Sequence, residues 1–416
     1  MQEEPIPQQV QENIEQVNSA DLVVGVLSEL DQEGLVMTCD ALRTLSGSPR
    51  IAVLQDDHAA NPLVTSPETA EKSASPYVVP WPLLRPDISS TPVVSMSAAY
   101  QSVFAAAEKF GAQACCVIAS KFETAAAGWA CQLAQPLLEE DFDLVVPHYA
   151  RHKFEGLLNS SVISPLMRCL YGKRIRNPLG PDLGVSRRLF QKMLGIERSA
   201  RVGGNLQSLV SLAPAALCNN LQVCEVYVGA RIYPPTDWMN ISSLVAQVLS
   251  PIFVDMERNA ACWQRMRASV PVPAIGEPVL VSRDVGSVDI SRMVESFQLG
   301  IRDLQEIWGL VLPPSTLFEL RKLSRLPVEQ FRMPDELWVR IVYDFALAHR
   351  LRTINRDHLL KSMTPLYLAW VASYAHDLGT AGAEATEQRL ERLFVAFESG
   401  KPYLVSRWRW PDRFNP

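Results

Sequence analysis

The chain has 416 residues, 48 % apolar and 20 % charged, the balance of a globular protein with core enough for two or three domains. Its formal charge of −6 argues against a nucleic-acid partner, whose phosphates favour a basic surface. No window approaches about 18 uninterrupted apolar residues, so no membrane span is expected.

Residues 1–20 are acidic and polar, lack the basic start and apolar stretch of a signal peptide, and read as a flexible lead-in or short helix. Asp21 to Val26, DLVVGV, is apolar on both faces, which predicts a fully buried strand. A helix follows over about Glu33 to Leu45, then a strand from Arg50 to Leu54. Residues 55–92, rich in Pro, Ser, Asp and Ala, read as a long surface loop with one short strand at Tyr77 to Val79. Ser97 to Phe110 is predicted helical, with Ser97 as N-cap and Gly111 as stop. ACCVIA, Ala114 to Ala119, is another buried strand, and Trp129 to Glu139 a helix with a kink expected at Pro136.

The central stretch runs from Asp143 to Arg188. A buried strand, Leu144 to Val146, ends at Pro147 and leads into His148, Tyr149, Arg151, His152 and Lys153. A helix is predicted over Leu157 to Tyr171. A basic patch of Lys173, Arg174 and Arg176 then meets a tight Asn-Pro-Leu-Gly-Pro-Asp turn. Strand end, polar cluster, helix and glycine turn is how an open α/β sheet builds a ligand site at its carboxyl edge. Helices at Arg187 to Leu194 and Leu206 to Leu217 and a strand at Gln222 to Val228 complete this half. Strands alternating with helices at such spacing predict a mainly parallel sheet covered on both sides.

Beyond Asn240 the strand signals fade. Helices are expected at Ile241 to Arg267, Ser291 to Leu310, Pro314 to Leu323, Pro334 to His349, Arg356 to Leu378 and Ala383 to Phe397, with a Pro/Val-rich link over Val270 to Val281. Leu337, Ile341, Phe345, Ala348, Leu359, Leu366, Leu368 and Val371 recur at helical spacing and suit core packing or a homodimer face. Asn355 suits an N-cap. The aromatic and basic tail, VSRWRWPDRF, is expected to fold back on the helices, having too few tryptophans and arginines for a single-strand stacking groove.

Eight cysteines carry no CxxC or Cys/His spacing, and Cys115, Cys116, Cys131, Cys218 and Cys224 sit in apolar runs. Buried free thiols in a reducing cytoplasm are expected, and no zinc site.

Five words of this sequence, DLVVGV, FAAAEKFGAQACCVIAS, DFDLVVPHYARHKFEG, SPLMRCLYGKRIRNPLGPDLGVS and QVCEVYVGARI, together resemble the family 2-type glycosyltransferases of GT-A fold, in particular the glucosyl-3-phosphoglycerate and mannosylglycerate synthase group. The resemblance implies a GT-A-like, Rossmann-like α/β domain at 21–267 and a helical C-terminal domain at 282–416. It implies nucleotide contacts at Gly25, Val26, Leu27, Ser28, Glu29 and Ser120. The family's Asp-x-Asp triplet, which holds a divalent cation, falls on Ala119-Ser120-Lys121, and its histidine ligand on Tyr233. Its Gly-Lys-Gly loop is replaced by Pro92 to Met96, and its acceptor-contacting acidic segment by Gly203 to Gln207. Hard cations need oxygen ligands, so no metal is expected.

What survives is Lys121, an ammonium at the metal's place or else a solvated loop lysine, and Asp182, a contact for sugar or acceptor or else a carboxylate bonded to its own turn. His148, Arg151, His152 and Lys153 suit a phosphate or carboxylate on donor or acceptor; solvated side chains at a helix start are the other reading. Lys173, Arg174 and Arg176 either join that anion pocket or line a helix face. Two functions follow. One is transfer of a hexose from a nucleotide sugar to a small hydroxylated acid without metal or other cofactor. The other is an inactive GT-A scaffold, a pseudoenzyme that serves binding or assembly.

Overall fold

The computed structural model describes residues 19–27, 32–56, 76–81, 92–119, 128–200, 208–231, 236–279, 288–379 and 381–411. The chain divides into two compact units. One comprises residues 1–149, 179–231 and 272–279, the other 150–178, 232–271 and 280–416. The division therefore cuts the central stretch twice. The sequence had suggested a single passage from sheet domain to helical domain after residue 267.

Among the described residues the large sheet has eight strands: β1 (Leu22–Val26), β2 (Ile51–Asp56), β3 (Tyr77–Trp81), β4 (Ala114–Ile118), β5 (Leu144–Ala150), β7 (Leu183–Ser186), β8 (Val223–Ala230) and β10 (Ala274–Ile275). The remaining two, β6 (Lys173–Arg174) and β9 (Val270–Pro271), pair parallel to each other in the second unit. The large sheet has the order β10-β8-β5-β7-β4-β1-β2-β3. Its β1–β2, β1–β4, β2–β3 and β8–β10 pairs are parallel, while β7 runs antiparallel to both β4 and β5. The mainly parallel α/β class expected from the sequence is the one found.

Both faces of β1 and β4 are apolar because both are covered. Leu22, Val24, Val26, Ala114, Cys116 and Ile118 share one core with Leu35 and Cys39 of the helix Gln32–Leu42 and Trp129 and Leu133 of the helix Trp129–Glu139. The intervening residues face the helix Pro92–Lys109. A Cβ on Gly25 would stand 2.3 Å from the Cγ2 of Val103, so only glycine lets that helix lie so close to β1. This helix begins earlier than expected, and Ser97 is not its cap: buried inside it, the Ser97 hydroxyl accepts from the Leu209 N–H at 3.4 Å. The start of β5 is fixed by Asp143, 1 % exposed, which accepts from Ser186 Oγ (2.6 Å), Arg188 Nε (2.7 Å) and the Gln222 N–H (3.0 Å).

The second unit is helical from Ile290 onward, as expected for the C-terminal region. The predicted span Arg356 to Leu378 is two helices, Arg356–Ser362 and Thr364–Leu378, and Asn355 caps the first by accepting from the Asp357 and His358 N–H groups. Leu337, Ile341, Phe345, Ala348, Leu359, Leu366, Leu368 and Val371 are all buried, so packing within the unit accounts for them. The tail is not a separate segment: one helix runs from Ala383 to Arg409. Trp408, 3 % exposed, meets Trp263 edge-on at 5.3 Å, and the Arg350 guanidinium lies 4.6 Å over its ring.

Of the cysteines, Cys39, Cys115, Cys116, Cys169 and Cys224 are buried free thiols and Cys131 is half-buried and free. Cys218 is disulfide-bonded, a correction to the expected free thiol. Among the described residues no helix is long and apolar enough to cross a membrane.

Candidate functional site

The parallel strands β1 and β4 end on one edge of the sheet, and there the Leu27 N–H donates to the Ile118 carbonyl at 2.8 Å. Because β7 runs the other way, with Leu183 opposite Val117, the residue just before it arrives at this same edge. That residue is Asp182, fully buried. Its Oδ1 accepts from the Ala119 N–H at 2.7 Å and its Oδ2 accepts from the Tyr149 hydroxyl of β5. One carboxyl thus ties together the ends of β4 and β5 and the glycine turn.

Around this carboxyl the site is aromatic. Tyr149, 3 % exposed, packs against Trp129 with ring centroids 5.6 Å apart, and the Arg231 guanidinium lies 5.4 Å from its ring centroid. The Tyr100 hydroxyl donates to the Pro181 carbonyl, which holds the turn from the helix side. Burial first, and then the charge of Asp182, push the Tyr100 phenol well above its ordinary range; Arg231 pulls the other way. Tyr100 therefore stays a neutral donor at any ordinary pH. In the turn itself, a Cβ on Gly180 would come within 3.1 Å of Pro147 Cγ, so glycine brings the turn against the middle of β5.

Of the expected nucleotide contacts, Gly25 and Leu27 lie at the carboxyl end of β1, Gly25 with a packing role and Leu27 at the link to β4. Ser28, Glu29, Ser120, Lys121, Tyr233 and the segment 203–207 lie outside the described residues. Nothing in the word QVCEVYVGARI marks Arg231 as facing Tyr149; only the fold brings the two together.

The residues of the basic cluster are divided between the two units. His148 belongs to the sheet unit; Arg151, His152 and Lys153 belong to the helical unit. Lys153 is bonded to backbone. Its Nζ donates to the carbonyls of Leu378 (3.1 Å), Gly379 (2.6 Å) and Ala381 (3.0 Å) at the end of the helix Thr364–Leu378, where a cation meets unpaired carbonyls. His152 sits in a tight turn: its N–H donates to Glu155 Oε2 at 2.8 Å and its ring meets Phe154 edge-on at 5.4 Å. Arg151 packs under Gly156, with its guanidinium where a Cβ would stand. Arg174 donates to Ser269 Oγ at 3.0 Å and Arg176 is paired with Glu387.

No protein-family model and no curated protein matches the chain. Among solved structures it is similar to glucosyl-3-phosphoglycerate synthase from Mycobacterium tuberculosis. In complex with Mn2+, uridine diphosphate and glucosyl-3-phosphoglycerate, that protein is 17 % identical over 62 % of this chain and 86 % of its own, with a TM-score of 0.34. In complex with Mn2+, uridine-diphosphate-glucose and phosphoglyceric acid, the figures are 18 %, 65 %, 93 % and 0.33. A further mycobacterial protein is 19 % identical over 60 % of this chain and 78 % of its own, with a TM-score of 0.32. The α/β class rests on the strand order of this chain, not on these likenesses.

Proposed function

We propose that the sheet unit is a GT-A-type glycosyltransferase domain that moves a hexose from a nucleotide sugar to a small hydroxylated acid. The observation that carries this reading is the buried Asp182, whose two oxygens clamp Ala119 and Tyr149 and so fix the carboxyl edge of β4 and β5 as a rigid floor. Open α/β sheets bind nucleotides at that edge. Asp182 acts there as a positioning residue, since both its oxygens already accept hydrogen bonds.

We take the site to work without a divalent cation: the family's Asp-x-Asp and histidine positions hold Ala119, Lys121 and Tyr233 here, and none of these offers an anionic oxygen. We therefore assign the charge of the leaving diphosphate to protein cations, Arg231 beside Tyr149 and Lys121 after β4. Calorimetric titration with uridine-diphosphate-glucose in EDTA tests the reading. Binding that weakens on Arg231→Gln supports it, and no heat with any common nucleotide sugar overturns it.

A further inference from the structure

Next to Tyr149 on β5 stands His148, and alternation along the strand turns it to the opposite face of the sheet. Tyr149 shares its core with Cys224, Val226 and Val228 of β8, so the intervening β8 residues Glu225 and Tyr227 share the face of His148. The His148 imidazole lies over the Tyr227 ring, with centroids 4.6 Å apart and planes 34° from parallel. Its Nδ1 is buried, 3.7 Å from Glu225 Oε2, and has no hydrogen-bond partner among the described residues. Glu225 itself is 7 % exposed and is held in place through its N–H, which donates to the Pro273 carbonyl at 2.9 Å. The His148 side chain keeps 28 % of its surface although Nδ1 is covered.

A buried carboxylate facing one ring nitrogen decides which nitrogen carries the proton. We infer that Glu225 holds His148 in the tautomer protonated at Nδ1, so that Nε2 is presented as a hydrogen-bond acceptor to a hydroxyl of the bound acid. Glu225 is the positioning residue and Tyr227 the platform that fixes the ring plane. At 3.7 Å the pair is one short side-chain movement from a hydrogen bond, and such contacts tighten when ligand arrives. This rests on the transferase reading for the identity of the ligand, but the tautomer itself does not.

Nitrogen-15 NMR of histidine-labelled protein without ligand reads the tautomer directly. Protonation at Nδ1 in the wild type and its loss in Glu225→Leu, which removes the acceptor, are expected. Protonation at Nε2 in the wild type, or an unchanged tautomer in the variant, overturns the inference whatever the protein's activity. The hydroxyl is tested with phosphoglyceric acid against its deoxy analogue lacking the 2-hydroxyl. The wild type should favour the hydroxylated acid about tenfold, and His148→Phe should erase that preference while still binding the deoxy analogue. Equal affinities in the wild type overturn the assignment of the ligand hydroxyl to His148. Failure of every nucleotide sugar to bind would instead remove the transferase reading and leave the tautomer result standing.

Discussion

Replacing Lys153 with methionine decides between two roles for one ammonium. The change keeps the apolar stem and deletes the three bonds to Leu378, Gly379 and Ala381. A hydrogen bond from a charged group is worth about 1.5–3 kcal/mol, and a cation at a helix C-terminus about 0.3–2 kcal/mol. The three bonds share one charge and one desolvation, so they do not add, and we expect a net loss of about 2–3 kcal/mol. For a domain of roughly 150–250 residues that lowers Tm by about 4–12 °C. Urea unfolding should show a lower midpoint with an unchanged slope, and the last turn of the helix Thr364–Leu378 should exchange its amides faster. Phosphate affinity should not change. A stability loss under about 0.5 kcal/mol, the range of an idle surface lysine, would refute the argument.

Gly25→Ala should destabilise by about 1–3 kcal/mol through overpacking against Val103, and adding Val103→Ala should recover much of it; thermal unfolding of both variants checks this. Tyr149→Phe and Asp182→Asn should be coupled by about 1.5–3 kcal/mol in a double-mutant cycle, since each removes one side of the same buried bond; additive effects would mean that the bond is not made. Burial holds His349 down to about 4. Its folded state thus binds its proton later than the unfolded state, whose histidine titrates near 6.5. Stability is full above that value and falls as pH drops toward 4, by up to about 3 kcal/mol. In His349→Gln this part of the acid slope should vanish from denaturation curves taken between those two pH values.

The local pattern of the chain was enough for the strands and for most helices. LVVGV and ACCVI are apolar on both faces, and only a strand covered from two sides satisfies that. Asn355 acts on the residues beside it, so its capping role was readable too. The C-terminal helix was expected to end at Phe397 but runs on to Arg409 through Gly400 and Pro402. Between them Lys401, 9 % exposed, reaches the carbonyls of Cys169 (2.6 Å) and Met266 (2.7 Å), residues more than a hundred positions away.

The same distance in sequence separates what was legible at the site from what was not. A dense run such as His148 to Lys153 looks like one pocket in a string of letters, yet its members go to different units and its lysine to a helix end. The sequence determined which residues could bear charge and where strands would stop, because those depend on neighbours within a few positions. Only the tertiary structure decided that Asp182 meets Ala119 and Tyr149 and that Glu225 faces His148. Those meetings depend on the reversal of β7 between β4 and β5 and on the neighbouring of β5 and β8 in the sheet, and long-range strand pairing leaves no local trace in the order of residues.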